Sequence, residues 1–154
     1  VKYLPGGRFE YTAIDVCTKV VWAQVSERLD SATAADFMSA VPHRAPFTVH
    51  TIQTDNGSEF ALDFAQLLDQ RRIKHRRNAP RCAWMNGVVE RFHRTVAEEC
   101  YLALPGDLRD LSTTRLNRAL GKWLAFYNNH RLHSGLAYKP PAHALLSFLN
   151  QVSN

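Results

Sequence analysis

The order of elements predicts an α/β or α+β chain in which helices cover a mixed sheet. Three observations carry that expectation. β-rich runs with period-two alternation come first, between Phe9 and Leu29. Helical and β-rich segments then alternate as far as Arg76, and from Asn86 onward helical stripes dominate.

Phe9–Val16 reads as a strand, with Phe9, Tyr11 and Ala13 pointing one way, Glu10, Thr12 and Ile14 the other, and Asp15 at its end. A Cys17-Thr18-Lys19 turn leads to a second run, Val20–Val25, so an antiparallel hairpin follows, and a third short strand is expected around Ser26–Leu29. Ser31 opens a helix through Val41 that Pro42 closes. Thr48–Thr54 is a strand ending in an Asp55-Asn56-Gly57 turn. Ser58 caps a helix to Gln70 with Phe60, Phe64, Leu67 and Leu68 on one stripe. Arg72–Arg76 reads as a short final strand and Asn78–Met85, with Pro80, as a loop. Asn86 resembles the cap of a helix to Ala103 bearing Val89, Phe92, Val96 and Cys100, which Pro105-Gly106 breaks. Ser112 caps a long helix to Asn129 whose Leu116, Leu120, Trp123 and Tyr127 read as core. After Tyr138–Pro141 comes a last short helix with Leu145, Leu146 and Leu149.

The chain has 154 residues, of which 45% are hydrophobic and 21% charged, which fits one globular domain spanning 1–154 and excludes a disordered chain. No run approaches the ~18 apolar residues of a membrane span, so no membrane partner is expected. Val1–Gly7 has no apolar signal core and no initiator Met, so a fragment of a longer cytoplasmic protein is expected. Cys17, Cys82 and Cys100 are odd in number and widely spaced, giving neither a disulfide framework nor a zinc ribbon.

The net charge of +5 is segregated. Arg71–Arg94 holds eight basic residues and one acid, Glu90, against eleven and thirteen in the rest of the chain. Such a block is either a solvated face or a footprint for a polyanion, nucleic acid foremost. Trp84 and His75 within it could stack on or hydrogen-bond to a nucleotide.

Three acids stand out by context: Asp15 ends an apolar strand, Asp55 follows a strand, and Glu90 lies in the first turns of a helix behind the basic loop. Singly, each has an ordinary reading: a turn for Asp55, an i,i+4 pair with Arg94 for Glu90. Together, at one edge of a sheet, three carboxylates would repel one another unless cations neutralised them. Mg²⁺ with oxygen ligands suits that need and serves phosphoryl displacement.

The segments Tyr11–Asp15, Thr54–Phe60 and Asn86–Thr95, followed by Tyr127–Leu136 and Lys139-Pro140-Pro141, resemble the catalytic core of retroviral-type integrases, and most closely the DDE transposases of bacterial insertion sequences. Thirty-four residues separate Asp55 from Glu90, as in that class. The resemblance covers about residues 8 to 145. It implies a ribonuclease-H-like fold, a five-stranded mixed sheet flanked by helices. It implies Asp15, Asp55 and Glu90 as catalytic, metal-binding triad, with Mg²⁺ as cofactor and Mn²⁺ as substitute. It implies DNA as partner, both mobile-element ends and target, with Arg76, Arg77, Arg81, Arg91 and Arg94 as the DNA-binding residues. At least a dimer and a bacterial, nucleoid-associated setting go with it. The activity implied is polynucleotidyl transfer: water attacks a phosphodiester at the element's end, then the freed 3′-hydroxyl attacks target DNA. Asn56 and Gly57 would shape the turn presenting Asp55, and His133 would be structural. Two departures are Ala97, where the family often has Lys or Arg, and the absence of a helix-turn-helix region for end recognition. A nuclease of the same fold and a non-catalytic nucleic-acid-binding domain are the rival readings.

Overall fold

The computed structural model describes residues 1–79 and 87–152. Three strands, β1 (Lys2–Leu4), β2 (Arg8–Ile14) and β3 (Val21–Ser26), form an antiparallel meander in the order β1-β2-β3. Lys2 stands opposite Glu10, and Ile14 opposite Val21. A parallel pair, β4 (Thr51–Thr54) and β5 (Lys74–Arg77), follows, with Thr51 opposite Lys74. The helices are α1 (Ser31–Arg44), α2 (Leu62–Gln70), α3 (Gly87–Val96), α4 (Thr113–Asn129) and α5 (Pro141–Val152). None of the described helices is long and apolar enough to cross a membrane.

Alternation along β2 builds a core on each side. Tyr11 joins Ala34, Met38 and Val41 of α1 and Phe64 and Leu68 of α2, with Phe9 and Ala13 packed beside them. On the other face Leu4, Val21 and Val25 meet Phe92 and Val96 of α3 and Leu116, Leu120 and Tyr127 of α4. Five strands, mixed in direction and flanked by helices, are the expected ribonuclease-H-like inventory. The ladder, however, breaks into three strands and two. β1 is three residues long and runs only beside Arg8–Glu10, so among the described residues no strand lies beside Thr12–Ile14 on that edge.

The strand count is right but one strand is elsewhere than the sequence suggested. Glu27–Leu29 is not β-structure; the extra strand is β1, ahead of the first one expected. Pro5-Gly6-Gly7 makes the turn between β1 and β2, with Gly6 at φ +79° and Gly7 at φ +68°. A Cβ on Gly6 would sit 2.7 Å from Arg8 Nη2. Arg8 is buried and donates to the carbonyls of Pro5, Leu108 and Leu111, which fastens this turn to the segment before α4. In consequence Asp15 follows the second strand of the meander, not the first.

Other boundaries shift for local reasons. α1 runs through Pro42 to Arg44 and is capped by Asp30, whose carboxylate accepts from Thr33 N at 2.7 Å. Pro42 removes one hydrogen bond, and the helix ends within a turn of it. The Ser58–Gln70 helix divides into a 3₁₀ turn, Ser58–Phe60, and α2, because Ala61 is extended and Leu62 has φ +38°. The helix expected to reach Ala103 is α3 followed by a π turn, Ala97–Tyr101. The Asn86 cap, and with it Arg81, Cys82 and Trp84, lies outside the described residues.

The free edge of β3 is closed by side chains. Asn128 accepts from Val21 N at 3.0 Å and donates to Val21 O at 2.9 Å; Asn117 does the same for Val25, both at 2.8 Å. The two asparagines lie eleven residues apart on one face of α4, about three turns. Asn117→Ala or Asn128→Ala strands a backbone donor and acceptor together, so each is expected to cost about 1–3 kcal/mol in denaturant melts.

Candidate active site

Asp55 lies just past β4, where parallel pairing with β5 sets the chain direction. Asn78 closes the ends of the two strands: its N–H donates to Thr54 O at 2.9 Å, and its side-chain and backbone oxygens accept from Gln53 Nε2 at 2.7 Å and Asn56 Nδ2 at 3.0 Å. Thr54 Oγ1 donates to Asp55 O at 2.8 Å and lies 2.9 Å from His75 Nε2. Asp55 Oδ1 accepts from Gly57 N at 3.0 Å, so Asn56 and Gly57 do shape the turn that presents it. A Cβ on Gly57 would stand 2.4 Å from Glu59 Oε2, the far end of a flexible side chain that would have to turn aside. Among the described residues, Oδ2 of Asp55 accepts no hydrogen bond.

Glu90 is exposed in the first turn of α3 and has no ion pair among the described residues, although Arg94 follows four residues on. Arg91 and Arg94 are exposed on the same helix, and Arg76 and Arg77 on β5; Arg77 also donates to Phe60 O at 3.0 Å.

Asp15 has a different environment. Its Oδ2 accepts from Thr18 N at 2.7 Å and from Thr18 Oγ1 at 2.6 Å, while its backbone accepts from Lys19 N and donates to Val20 O. Lys19 takes the left-handed region at φ +63°. These contacts build the β2–β3 turn. Asp15, Asp55 and Glu90 are all described, and among the described residues no three His, Cys, Asp or Glu side chains are gathered so as to hold a metal ion. The convergence expected of the triad is therefore absent from this geometry.

A second acid escaped sequence reasoning. Glu10 is fully buried in the middle of β2, with Oε2 accepting from Tyr101 OH at 2.5 Å and Oε1 from Thr12 Oγ1 at 3.0 Å. His93 Nε2 lies 3.2 Å from Thr12 Oγ1 and 3.9 Å from Glu10 Oε1, and Lys2 Nζ donates to His93 O at 2.5 Å. Burial pushes the Glu10 carboxyl above its ordinary range, against the hydrogen bonds from Tyr101 and Thr12. Burial, reinforced by the N-terminal amine and Lys2, pushes His93 down to about 3, so the imidazole is neutral and no ion pair forms with Glu10 at neutral pH. The signal was available: an acid inside an alternating strand run, the same feature that drew attention to Asp15.

His93 sets a pH dependence. Below the ordinary value of 6.5 the unfolded chain takes up a proton that the folded protein refuses, so stability falls as pH drops from about 6.5 towards 3. Glu10 acts in the opposite sense: its contribution is lost as pH rises above 4.5. Comparing wild type with His93→Gln isolates the histidine. Their stability difference in denaturant melts is expected to change between pH 6.5 and 4.5 by up to about 1.4 kcal/mol per pH unit.

The Tyr127–Leu136 segment is structural. Tyr127 is buried against Phe92 and Trp123, and His133 meets it edge-on at 4.7 Å. Arg131 holds Glu99 of the π turn at 2.6–3.0 Å.

Comparison with known proteins agrees with this architecture. Residues 71–141 match the model of the integrase core domain, a stretch that takes in Glu90, the basic segment and the Tyr127–Leu136 motif but not Asp15 or Asp55. The chain is 26% identical over 162 aligned positions to a putative integrase, ORF3, of Spiroplasma virus SpV1-C74, covering 94% of this chain and 42% of that protein. It is 24% identical over 102 positions to the retrovirus-related Pol polyprotein from transposon TNT 1-94 of Nicotiana tabacum, covering 64% of this chain and 8% of that one. The chain thus spans less than half the length of both relatives. Its fold superposes on the catalytic core domain of BIV integrase with a TM-score of 0.73 at 23% identity, covering 94% of this chain and 90% of that one. On the simian T-cell lymphotropic virus intasome, in complex with PP2A regulatory subunit B56 gamma, the TM-score is 0.75 at 20% identity, covering 88% and 47%. The fold is therefore that seen in the catalytic core domain of BIV integrase, ribonuclease-H-like, and residues 71–141 match the model of the integrase core domain.

Proposed function

We propose that this chain is the catalytic core of a DDE transposase or integrase, a Mg²⁺-dependent polynucleotidyl transferase that cleaves DNA phosphodiesters and joins 3′-hydroxyl ends to target DNA. The observation that carries the reading is Glu90: an exposed carboxylate without an ion pair among the described residues, on a helix with two exposed arginines, inside the segment that matches the integrase core domain. Asp55, with one carboxylate oxygen uncommitted, is the second acid of the site.

Asp55 and Glu90 would hold a hard divalent cation through carboxylate oxygens, the donor type that Mg²⁺ takes. When bound there, Mg²⁺ or Mn²⁺ would supply charge stabilisation at the phosphoryl group. Asp15 is the third acid by motif order, and Oδ1, which accepts no hydrogen bond among the described residues, is the oxygen it would offer. Arg91 and Arg94 of α3, with Arg76 and Arg77 of β5, hold the phosphate backbone in this reading. Arg81 belongs to the same basic segment by sequence. DNA ends and target DNA are the partners, and the intasome similarity favours work as at least a dimer.

Incubation with a pre-cut DNA end, Mg²⁺ and a target plasmid tests the reading: joined products are expected. Cleavage without joining would support the nuclease alternative, and binding without either would leave a nucleic-acid-binding domain. The backbone contacts have their own signature. Arg76→Ala and Arg94→Ala should each weaken DNA binding regardless of sequence and reduce the log–log salt slope by about one.

A further inference from the structure

We infer that Glu10 is a positioning residue for the acidic site: one buried carboxylate, gripped at two points by one helix, sets how α3 is turned and thereby where Glu90 and Arg94 stand. The inference rests on the reading of Glu90 given above.

The grip comes from residues eight apart. Tyr101 donates its hydroxyl to Oε2 of Glu10, and His93 meets the Oε1 side through Thr12. On an uninterrupted helix of 3.6 residues per turn, positions eight apart are about 80° out of line. The π turn Ala97–Tyr101, closed by Leu102 N–H on Ala97 O at 3.0 Å, absorbs one extra residue. His93 and Tyr101 then stand as if seven apart, about 20° out of line, Tyr101 reaching the carboxylate directly and His93 through Thr12 Oγ1. Lys2 adds a third hold, from β1 to the backbone of α3 at His93. Glu90 and Arg94 lie within one turn of His93, so any rotation of the helix moves them with it.

Stability alone does not call for this arrangement. Buried polar clusters can often be replaced by apolar side chains of similar volume at no loss, or with a gain. An acid at this position, with a π turn shaped to reach it, is better accounted for by the orientation it imposes.

The test compares Glu10→Leu combined with Tyr101→Phe, which removes the grip, with Glu10→Gln, which keeps an acceptor for Tyr101. Residual dipolar couplings of the Gly87–Val96 amides, fitted against those of β2 and β3, report the orientation of α3. In the double variant these couplings are expected to change, and turnover at saturating DNA to fall at least about tenfold. DNA affinity should fall as well, because Arg91 and Arg94 turn with the helix, while melting temperature should be unchanged or raised. Glu10→Gln should return both couplings and turnover to within twofold of wild type. Unchanged couplings in the double variant, or changed couplings with wild-type turnover, overturn the inference. If wild type shows no DNA joining while the couplings still shift, the functional reading fails and the orienting role of Glu10 stands. Should the double variant not fold, Tyr101→Phe alone carries the same comparison.

Discussion

Asp55→Asn and Glu90→Gln are each expected to reduce metal-dependent strand transfer about a thousandfold, with the fold intact. Both substitutions keep side-chain shape and remove the charge that would hold a cation. Loss of a metal's charge stabilisation amounts to several kcal/mol, and each 1.36 kcal/mol is a factor of ten in rate. Neither carboxylate is part of the core: Glu90 is exposed, and Asp55 spends one oxygen on Gly57, an acceptor that Asn retains. Single-turnover assays with a pre-cut DNA end, alongside thermal melts, measure the two effects separately. Asp15→Asn completes the series. If motif order assigns Asp15 correctly, its activity falls as far as that of the other two. Activity within tenfold of wild type would give Asp15 to the β2–β3 turn alone, where Thr18 already occupies it.

Phe92→Ala should have the largest effect on stability. Phe92 is 2% exposed and sits between Trp123, at 5.9 Å, and Tyr127, at 5.3 Å edge-on, so its ring packs α3 against α4. Removing a buried phenyl ring costs about 3–5 kcal/mol, including the cavity left behind. For a chain of this size each kcal/mol lowers the melting temperature by about 2–4 °C, so a fall of about 6–20 °C is expected by calorimetry. Phe92→Leu, which fills most of the space, should recover over half of it.

The long elements were legible because their signals were redundant. α4 has both a Ser112 cap, accepting from Arg115 N at 3.2 Å, and a Leu116, Leu120, Trp123, Tyr127 stripe, and it runs as expected to Asn129. β2 showed its two faces through simple alternation. β1 was hidden because three residues are too few for a period, and its strand character comes from pairing with Arg8–Glu10. The π turn was hidden because its sequence, Ala97–Tyr101, opens on good helix formers; its distinguishing contacts are with Glu10 and Arg131, which lie far off along the chain. In the site, Asp55 and its turn were legible because Asp-Asn-Gly encodes its own geometry. The solvent-facing position of Glu90 followed from its place on an amphipathic helix. Whether three acids meet depends instead on how strands are counted across the sheet, and local pattern says nothing about that.

The asparagine braces on β3 bear on how the protein avoids polymerising. Exposed strand edges template the addition of further strands, and proteins protect them with charge, cover or irregularity. Here α4 supplies the cover, filling the backbone groups of Val21 and Val25 with amides that a neighbouring molecule would have to displace. β5 is protected differently, by Lys74, Arg76 and Arg77. With these margins defended, the described strands leave one edge open, that of β2 at Thr12–Ile14, beside which no described strand lies.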